Sequence, residues 1–406
     1  MAVAAPQLTC FWAIFGPTAI ALWAIVAFWL ALFVTVVQAS LRQFGVVRGG
    51  LLAVVVWTGL EYFRSELYFL KFSWLNVGYC FAHSPALPLC HWLGMYGVGF
   101  IGMGTAVGIS MLTPKKAMLF ALRLALILMV ALFLHEYGLF QPSTTSPEKT
   151  VKVAGVQLEF PTDSEVVATL NKTLETQPGA EIFVLSEYTF NGPVPETVLA
   201  WCRQHQRYLV AGGKDLAPKN NFYDTAFVVS PSGEVIFKQV KSVPVQFLKD
   251  GLPASEQRLW DSPWGKIGIC ICYDLSYTRV TDRLVRLGAE ALIVPTMDVT
   301  DWGRHEHELH ALVAPVRAAE YGIPIFRVAS SGISQLIDRY GRTLAQGSFP
   351  GQRDIIGGAM TVGTRGSLPL DRWFAPGCSL ASAAVLLGLI LYHWRKSPSI
   401  PAKTAA

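Results

Sequence analysis

The feature that most constrains this chain is the uneven placement of its apolar residues. Long uncharged runs fill roughly the first 140 positions and return near the C-terminus, whereas Glu148–Arg372 has the mixed composition of a water-exposed domain. A bilayer core takes about 20 consecutive apolar residues per helix, and five stretches approach that length, at 14–37, 46–63, 89–112, 117–135 and 375–393. A chain that is 52% hydrophobic and only 15% charged therefore belongs partly in lipid. The first stretch follows no basic segment and is too long for a secretory leader, so it reads as a retained helix.

Lysine and arginine near span ends tend to stay cytoplasmic. Arg42 and Arg48 lie between the first two stretches, Lys115 and Lys116 between the third and fourth, and Arg395, Lys396 and Lys403 after the fifth. All fall on one side of a five-span arrangement; Arg64 and Lys71 are the fewer charges on the other side. The N-terminus, the loop Ser65–Pro88 and the large middle region are thus expected outside the cytoplasm. The organisation expected is membrane helices over 1–145 (about four spans), a catalytic domain over 150–372, a last span at 375–393 and a cytoplasmic tail at 394–406.

A net charge of +5, scattered along the chain, leaves no basic stripe for nucleic acid. Seven cysteines, an odd number without regular spacing, suit neither a disulfide framework nor a zinc module. One reactive thiol is the simpler reading.

From Thr150 the pattern becomes short β-type runs alternating with helical stretches, an α/β organisation. Strand Ile182–Leu185 ends in Ser186-Glu187-Tyr188, which puts a carboxylate just past a strand's C-terminal end, where such sheets carry chemistry. A hairpin turning at Pro231-Ser232-Gly233 leads to Val235–Val240, which delivers Lys241 beside an apolar Val-Pro-Val. The run Lys266–Cys272 alternates with period two, placing the isoleucines on one face and Gly268, Cys270 and Cys272 on the other. A strand ending at Cys272 before a helix at Thr278–Leu287 would set a thiol on an elbow, where helix amides favour the thiolate.

Glutamate, lysine and cysteine in this order, each at a strand end, resemble the catalytic triad of the nitrilase superfamily. The likeness runs from Val153-Ala154-Gly155-Val156-Gln157 to about Gly358, and takes in Trp302, Arg317-Ala318-Ala319-Glu320 and Gly332-Ile333-Ser334 with Asp338 and Gly341. It implies an α/β/β/α sandwich with Glu187 as general base, Lys241 holding the oxyanion and Cys272 forming a thioester. Of the two lysines before Pro244-Val245-Gln246-Phe247, Lys241 rather than Lys238 keeps the family spacing, and Cys270 reads as core. Tyr273, Asp274 and Glu320 are expected to support the oxyanion or position substrate, although a structural pairing of Glu320 with a nearby arginine is an equal reading.

The membrane part is similar to the apolipoprotein N-acyltransferase branch, through Trp57–Arg64, Ser73-Trp74-Leu75, Gly78-Tyr79 and Gly94-Met95-Tyr96-Gly97. That resemblance implies a multi-pass enzyme of the bacterial inner membrane with its catalytic domain on the periplasmic side. It would move an acyl chain from a phospholipid to the N-terminal amine of a diacylglyceryl-cysteine lipoprotein, without cofactor or metal. The family usually carries further spans before these, as if the first were absent here. Its usual glutamate after Cys-Tyr is Asp274, and its further loop glutamate is replaced by a segment in which Asp250 or Glu256 would have to substitute. The alternatives are a membrane-tethered carbon–nitrogen hydrolase using the same triad, and a scaffold without turnover.

Three other features carry plainer readings. His305–His310 misses the His-Glu-x-x-His metal spacing by one residue and reads as a partly solvated helix. Glu61 and Arg64, one turn apart, read as a mutual ion pair at the interface, with contact to a lipid headgroup (Trp74 included) as the functional alternative. Gly212-Gly213-Lys214 lacks the rest of a phosphate loop and reads as a turn.

Overall fold

A computed structural model describes residues 1–136 and 147–396; the end of the expected helical region at 137–146 and the tail from 397, Lys403 included, lie outside them. Two short helices, α1 (Ala4–Gln7) and α2 (Cys10–Phe15), lead into α3 (Ala19–Tyr62), α4 (Cys90–Ser110) and α5 (Pro114–Glu136). Among the described residues, Cys10–Leu67, Leu87–Ser110 and Asp371–Arg395 are long and apolar enough to cross a membrane.

α3 has 44 residues, which at the helical rise is about 66 Å, roughly twice a bilayer core. Gly45 resolves the mismatch. Its φ of 79° and ψ of 173° break the helix, and the chain doubles back so that the rings of Phe33 and Trp57 lie 5.0 Å apart and those of Trp29 and Phe63 5.6 Å. The two antiparallel halves coincide with the first two apolar stretches. α5 coincides with the fourth, and its side chains from Lys115 to Phe120 are mostly exposed.

The chain then runs through β1 (Lys149–Val156), α6 (Asp163–Thr176), β2 (Ile182–Leu185), α7 (Glu196–His205), β3 (Tyr208–Ala217), β4 (Asn221–Val229), β5 (Val235–Val240), β6 (Leu259–Ser262), β7 (Gly265–Ile269), α8 (Thr278–Leu287), β8 (Ala291–Thr296), α9 (Arg304–Ala311), α10 (Val313–Tyr321), β9 (Ile325–Ala329), β10 (Gln335–Ile337), β11 (Thr343–Gln346), β12 (Ile355–Val362) and α11 (Asp371–Lys396). One sheet has the order β12-β1-β2-β3-β4-β5 and the other β11-β10-β9-β8-β7-β6. Each has three parallel strands at its centre, β1-β2-β3 and β7-β8-β9, flanked by antiparallel ones. Parallel strands buried on both sides read as continuous apolar runs, and Ile182-Phe183-Val184-Leu185 is one. Ile182 and Val184 pack in one core with Ile269, Ile293 and Val328 of the other sheet. Phe183 and Leu185 face Leu170 and Trp201 of α6 and α7. Local signals set the ends: Thr162 caps α6 by accepting from Glu165 N, and the Glu165 carboxylate accepts from Thr162 N at 2.9 Å.

Buried charge locks the apolar helices to the sheets. α4 breaks at Gly94 (φ 72°), and a restarting helix has N–H groups without intrahelical partners. Glu320 of α10 accepts from Met95 N at 2.9 Å and Asp371 of α11 from Tyr96 N at 2.9 Å, placing carboxylates where the helix dipole favours them. Glu320 also binds Arg317 at 2.5 Å and Arg372 at 3.1 Å, while Arg372 reaches Asp282 of α8 at 2.9 Å. Glu66 accepts from Thr278 N at 3.2 Å, at the start of α8.

Burial pushes the Glu320 carboxyl up, but Arg372 and Arg317 more than offset it and hold it down at about 2. This folded value lies below the unfolded one of about 4.3, so the stabilisation is complete above about pH 4.3 and is lost as pH falls through about 2. Glu320→Gln leaves Arg317 without its carboxylate and should destabilise the protein by about 3–5 kcal/mol at pH 7. Unfolding midpoints in detergent measure the difference, which should narrow below about pH 4.

Candidate active site

The site is assembled from loops that follow strands. Glu187 lies just beyond β2 and is buried. Its Oε1 accepts from Lys241 Nζ at 2.7 Å and its Oε2 from the backbone N–H of Met297, beyond β8, at 2.7 Å. Lys241 follows β5, and its buried ammonium also lies 2.8 Å from Asp250 and 3.6 Å from Asp224. Asp250 in turn accepts from Val245 N at 2.6 Å and from the Tyr188 hydroxyl at 2.7 Å. Burial alone would push Lys241 down, but Glu187, Cys272, Asp250 and Asp224 together hold it well above the usual lysine range. Burial and the Glu187 charge push the Asp224 carboxyl well above the usual carboxylate range.

Cys272 reaches the same point differently from the expected alternating strand. β7 stops at Ile269; Ile271 is extended and Cys272 turns to φ 50° at the head of the 3-10 turn Cys272–Ser276. A left-handed residue that is not glycine persists only where its surroundings enforce it. Here Asp274 does so. Its carboxylate accepts from Ile271 N at 3.3 Å, Ser242 N at 3.0 Å and Val243 N at 2.7 Å, stitching the turn that carries Cys272 to the loop that follows Lys241. Burial raises the Asp274 carboxyl to about 6, against the pull of the Ser242 N–H and Lys241.

The expectation that helix amides favour the thiolate is corrected. Cys272 is separated from α8 by the 3-10 turn, and burial followed by the Glu187 charge pushes its thiol well above the usual range, with Lys241 only partly offsetting them. The resting group is a thiol, whose Sγ donates to Met297 O at 3.7 Å.

The three side chains open into one cleft of ≈ 950 Å³. Phe11, Ile14, Phe15, Leu22 and Val26 form one wall, Leu70, Phe72 and Trp74 another, and Val245, Phe247 and Leu248 a third. Phe69 and Phe247 are exposed at 78% and 62%, and Gln246 donates to Phe69 O at 2.8 Å. Glu187, Lys241 and Cys272 are thus reached through side chains contributed largely by the apolar N-terminal segment, which composition marked as membrane helix rather than as part of a site.

The remaining expected residues divide. Tyr273 stands in the cleft wall, its hydroxyl donating to Lys71 O at 3.0 Å, and Trp74 packs edge-to-face against it at 5.8 Å, donating to Ser276 Oγ at 3.0 Å. Asp274 sits behind Cys272 and off the cleft lining. Glu320 is also outside it, locked between Arg317 and Arg372, which is the structural of its two readings. Glu61 and Arg64 do not pair with each other. Glu61 accepts from Val77 N at 2.9 Å and Arg64 donates to Phe72 O and Asn76 Oδ1 at 2.6 Å each, because this polar segment returns to the helix between them and Trp74. Both border a second, smaller cavity with Trp29 and Leu75. The helix is partly solvated as expected, with Arg304 and Glu308 exposed, while Glu306, His307 and His310 on its other face are buried.

Asp298 was missed, and His310 was read only as part of a plain helix. Asp298 follows β8 as Glu187 follows β2, so the same strand-end signal marks it; its carboxylate pairs with Arg327 and accepts from His310 Nδ1 at 2.8 Å. Ligand atoms of Cys272, Asp298 and His310 lie within 4.8 Å of one another, as do those of Glu187, Asp224 and Asp250. The second trio surrounds the Lys241 ammonium, which fills the place a cation would take.

A glutamate, a lysine and a cysteine at the strand ends of a two-sheet α/β fold define a carbon–nitrogen hydrolase type of enzyme. The carbon-nitrogen hydrolase profile matches residues 169–368, and the apolipoprotein N-acyltransferase N-terminal domain profile matches residues 6–108. Among curated relatives, an apolipoprotein N-acyltransferase of Geobacter metallireducens is 25% identical over 89% of this chain and 78% of its own length. One of Nitrosomonas europaea is 24% identical over 73% of this chain and 65% of its own. A formamidase of Bacillus thuringiensis is 30% identical, over only 32% of this chain and 45% of its own length. The chain belongs to the apolipoprotein N-acyltransferase family of the nitrilase superfamily, a family of membrane acyltransferases.

Asp274→Asn cannot accept from all three backbone donors, since its amide presents N–H groups to them. Misplacement of the turn by about 1 Å should lower turnover about 10²-fold. Slowed alkylation of Cys272 by iodoacetamide, alongside the turnover assay, measures that displacement.

Proposed function

We propose that this protein transfers an acyl chain from a phospholipid to the N-terminal amine of a diacylglyceryl-cysteine lipoprotein through a thioester on Cys272. The observation that carries this reading is the continuity of the cleft: Glu187, Lys241 and Cys272 share it with Phe11, Ile14, Leu22 and Val26, from a segment apolar enough to lie in a membrane. A water-soluble amide needs no such wall. A long acyl chain does, since burying each CH₂ contributes about 0.8 kcal/mol.

In this reading Glu187 takes the Cys272 proton and the sulfur attacks the ester carbonyl. Lys241 and the Tyr273 N–H hold the oxyanion, an interaction of a few kcal/mol at such sites. The C–O bond then breaks, the proton passes to the departing lysophospholipid oxygen, and the acyl group remains on sulfur. An amine attacks next, forming the C–N bond and expelling the thiolate. Holding both lipid substrates in one leaflet gives the site a high local concentration of each.

The same reading takes the two sheets and their helices as an α/β/β/α sandwich over 150–372, set between membrane helices before and after it. It places that part on the extracytoplasmic side of a bacterial inner membrane, with the lysines and arginines of 42–48, 115–116 and 395–396 inside. The similarity to formamidase favours a second outcome, resolution of the acyl-enzyme by water.

Incubation of the full chain with diacyl phospholipid should add one acyl mass to the protein. The adduct should be removable by hydroxylamine, absent in Cys272→Ala, and discharged onto a diacylglyceryl-cysteine peptide as an N-acyl product. Discharge by water alone, or formation only from small amides, would establish the hydrolase instead.

A further inference from the structure

The second half-reaction needs a base, and Glu187 is poorly placed to be the only one. Both its oxygens are engaged, one by Lys241 Nζ and the other by Met297 N, at 2.7 Å each. Near Cys272 stands a second group for which the first half-reaction has no use. A ring nitrogen of His310 and a carboxylate oxygen of Asp298 lie within 4.8 Å of the Cys272 sulfur and of one another. His310 borders the cleft and is 1% exposed. Its ring stacks on Trp74 at 4.7 Å and 22°, which fixes its plane.

The tautomer follows from its partner. Burial pushes the Asp298 carboxyl up, but His310 and Arg327 pull it well below the usual carboxylate range, so it is ionised and accepts only. The proton between His310 Nδ1 and Asp298 Oδ1, 2.8 Å apart, therefore sits on Nδ1. Nε2 carries the lone pair, and it is buried without a hydrogen-bond partner among the described residues. An orphaned buried acceptor costs free energy, about 1–3 kcal/mol, and calls for a functional account.

The surroundings keep the ring neutral. Burial lowers the His310 value, Asp298 raises it and Arg327 lowers it again, for a net shift downward. The titratable and charged groups facing it are Asp298 beyond β8, Glu306 on α9 at 3.8 Å from Nδ1, Arg327 on β9, and Glu187 and Cys272 across the cleft. Glu306 is pushed well up by burial and by Asp298, so it stands protonated.

We propose that His310 Nε2 is the base that takes the proton from the amine discharging the Cys272 thioester, an assignment that rests on the thioester reading above. As nitrogen bonds to the acyl carbon, its N–H proton passes to Nε2. The carbon–sulfur bond breaks with its electron pair on sulfur, and the imidazolium returns the proton to the thiolate, restoring Cys272. Asp298 is the positioning residue, holding the ring and stabilising the imidazolium while it lasts. One nucleophile is thus served from two sides, by Glu187 when sulfur attacks and by His310 when sulfur leaves.

The test separates the half-reactions in the detergent-solubilised full chain. Phosphatidylethanolamine–phosphatidylglycerol micelles supply the acyl group, and a synthetic diacylglyceryl-cysteine peptide then discharges it. His310→Gln should form the thioester within about threefold of the unsubstituted rate, which also shows that it folds, and should discharge it about 10²–10³-fold more slowly. In the unsubstituted protein, discharge should fall on the acid side at a pH below about 6.5, where the imidazole protonates, and His310→Gln should lack that limb. Discharge at the unsubstituted rate, or an equal loss in both halves, overturns the proposal. No thioester in the unsubstituted protein would remove the acyl-transfer reading itself.

Discussion

The structure depends on one buried ammonium. Lys241 Nζ sits among Glu187, Asp250 and Asp224, each delivered by a different segment, with every group nearly out of contact with water. An isolated ion there would cost several kcal/mol even after relaxation, so the lysine can be charged only where the carboxylates converge. The convergence fixes more than charge. Glu187 is held by Lys241 at one oxygen and by Met297 N at the other, and Met297 O is the atom that meets the Cys272 sulfur. The ammonium thereby sets the Glu187 carboxylate at a defined place relative to the Cys272 sulfur, across the two sheets.

A second buried network does the corresponding work between the sheets and the apolar helices. The break at Gly94 leaves donors that Glu320 and Asp371 accept, and Arg372 ties α11 to α8 and α10. Trp74 donates to Ser276 Oγ and the Tyr273 hydroxyl to Lys71 O, which sets the segment carrying Phe72 and Trp74 against the turn carrying Cys272, so the cleft is walled by both parts of the molecule. A loosely tethered catalytic part would open its site to water. This one opens it along apolar side chains.

The thiol shows how placement decides reactivity. Read along the chain, Cys272 lies between a strand and a helix, and proximity to helix amides suggests an ionised sulfur. In three dimensions a short turn intervenes, the sulfur is buried and a carboxylate stands nearby, so the proton stays on sulfur. In the proposed reaction this thiol stays quiet until Glu187 accepts its proton. The flanking His310, silent in the resting site, becomes useful only when the sulfur must leave.

The elements themselves were written locally. Ile182–Leu185, Val235–Val240 and Thr278–Leu287 occur at the bounds their apolar runs and turns imply, and Gly45 divides α3 between two stretches that length alone separates. Glu187, Lys241 and Cys272 were legible because each lies just beyond a short β-type run, although a turn separates Cys272 from the end of β7. The pairing of Glu320 with a nearby arginine was one of its two readings and is Arg317, three residues away, but its bond to Met95 N and the partners of Glu61 and Arg64 were not legible, because a charge in a sequence does not name the backbone groups it will meet. The contribution of Phe11–Val26 to the cleft was hidden too, since apolar composition marks a helix for burial without saying against what. Sequence alone determined which segments seek lipid, which form sheets and which groups can do chemistry, for those are properties of neighbours along the chain. The tertiary structure alone decided the protonation of Cys272, the tautomer of His310 and the apolar walls of the site, because burial and charge proximity exist only once distant segments have met.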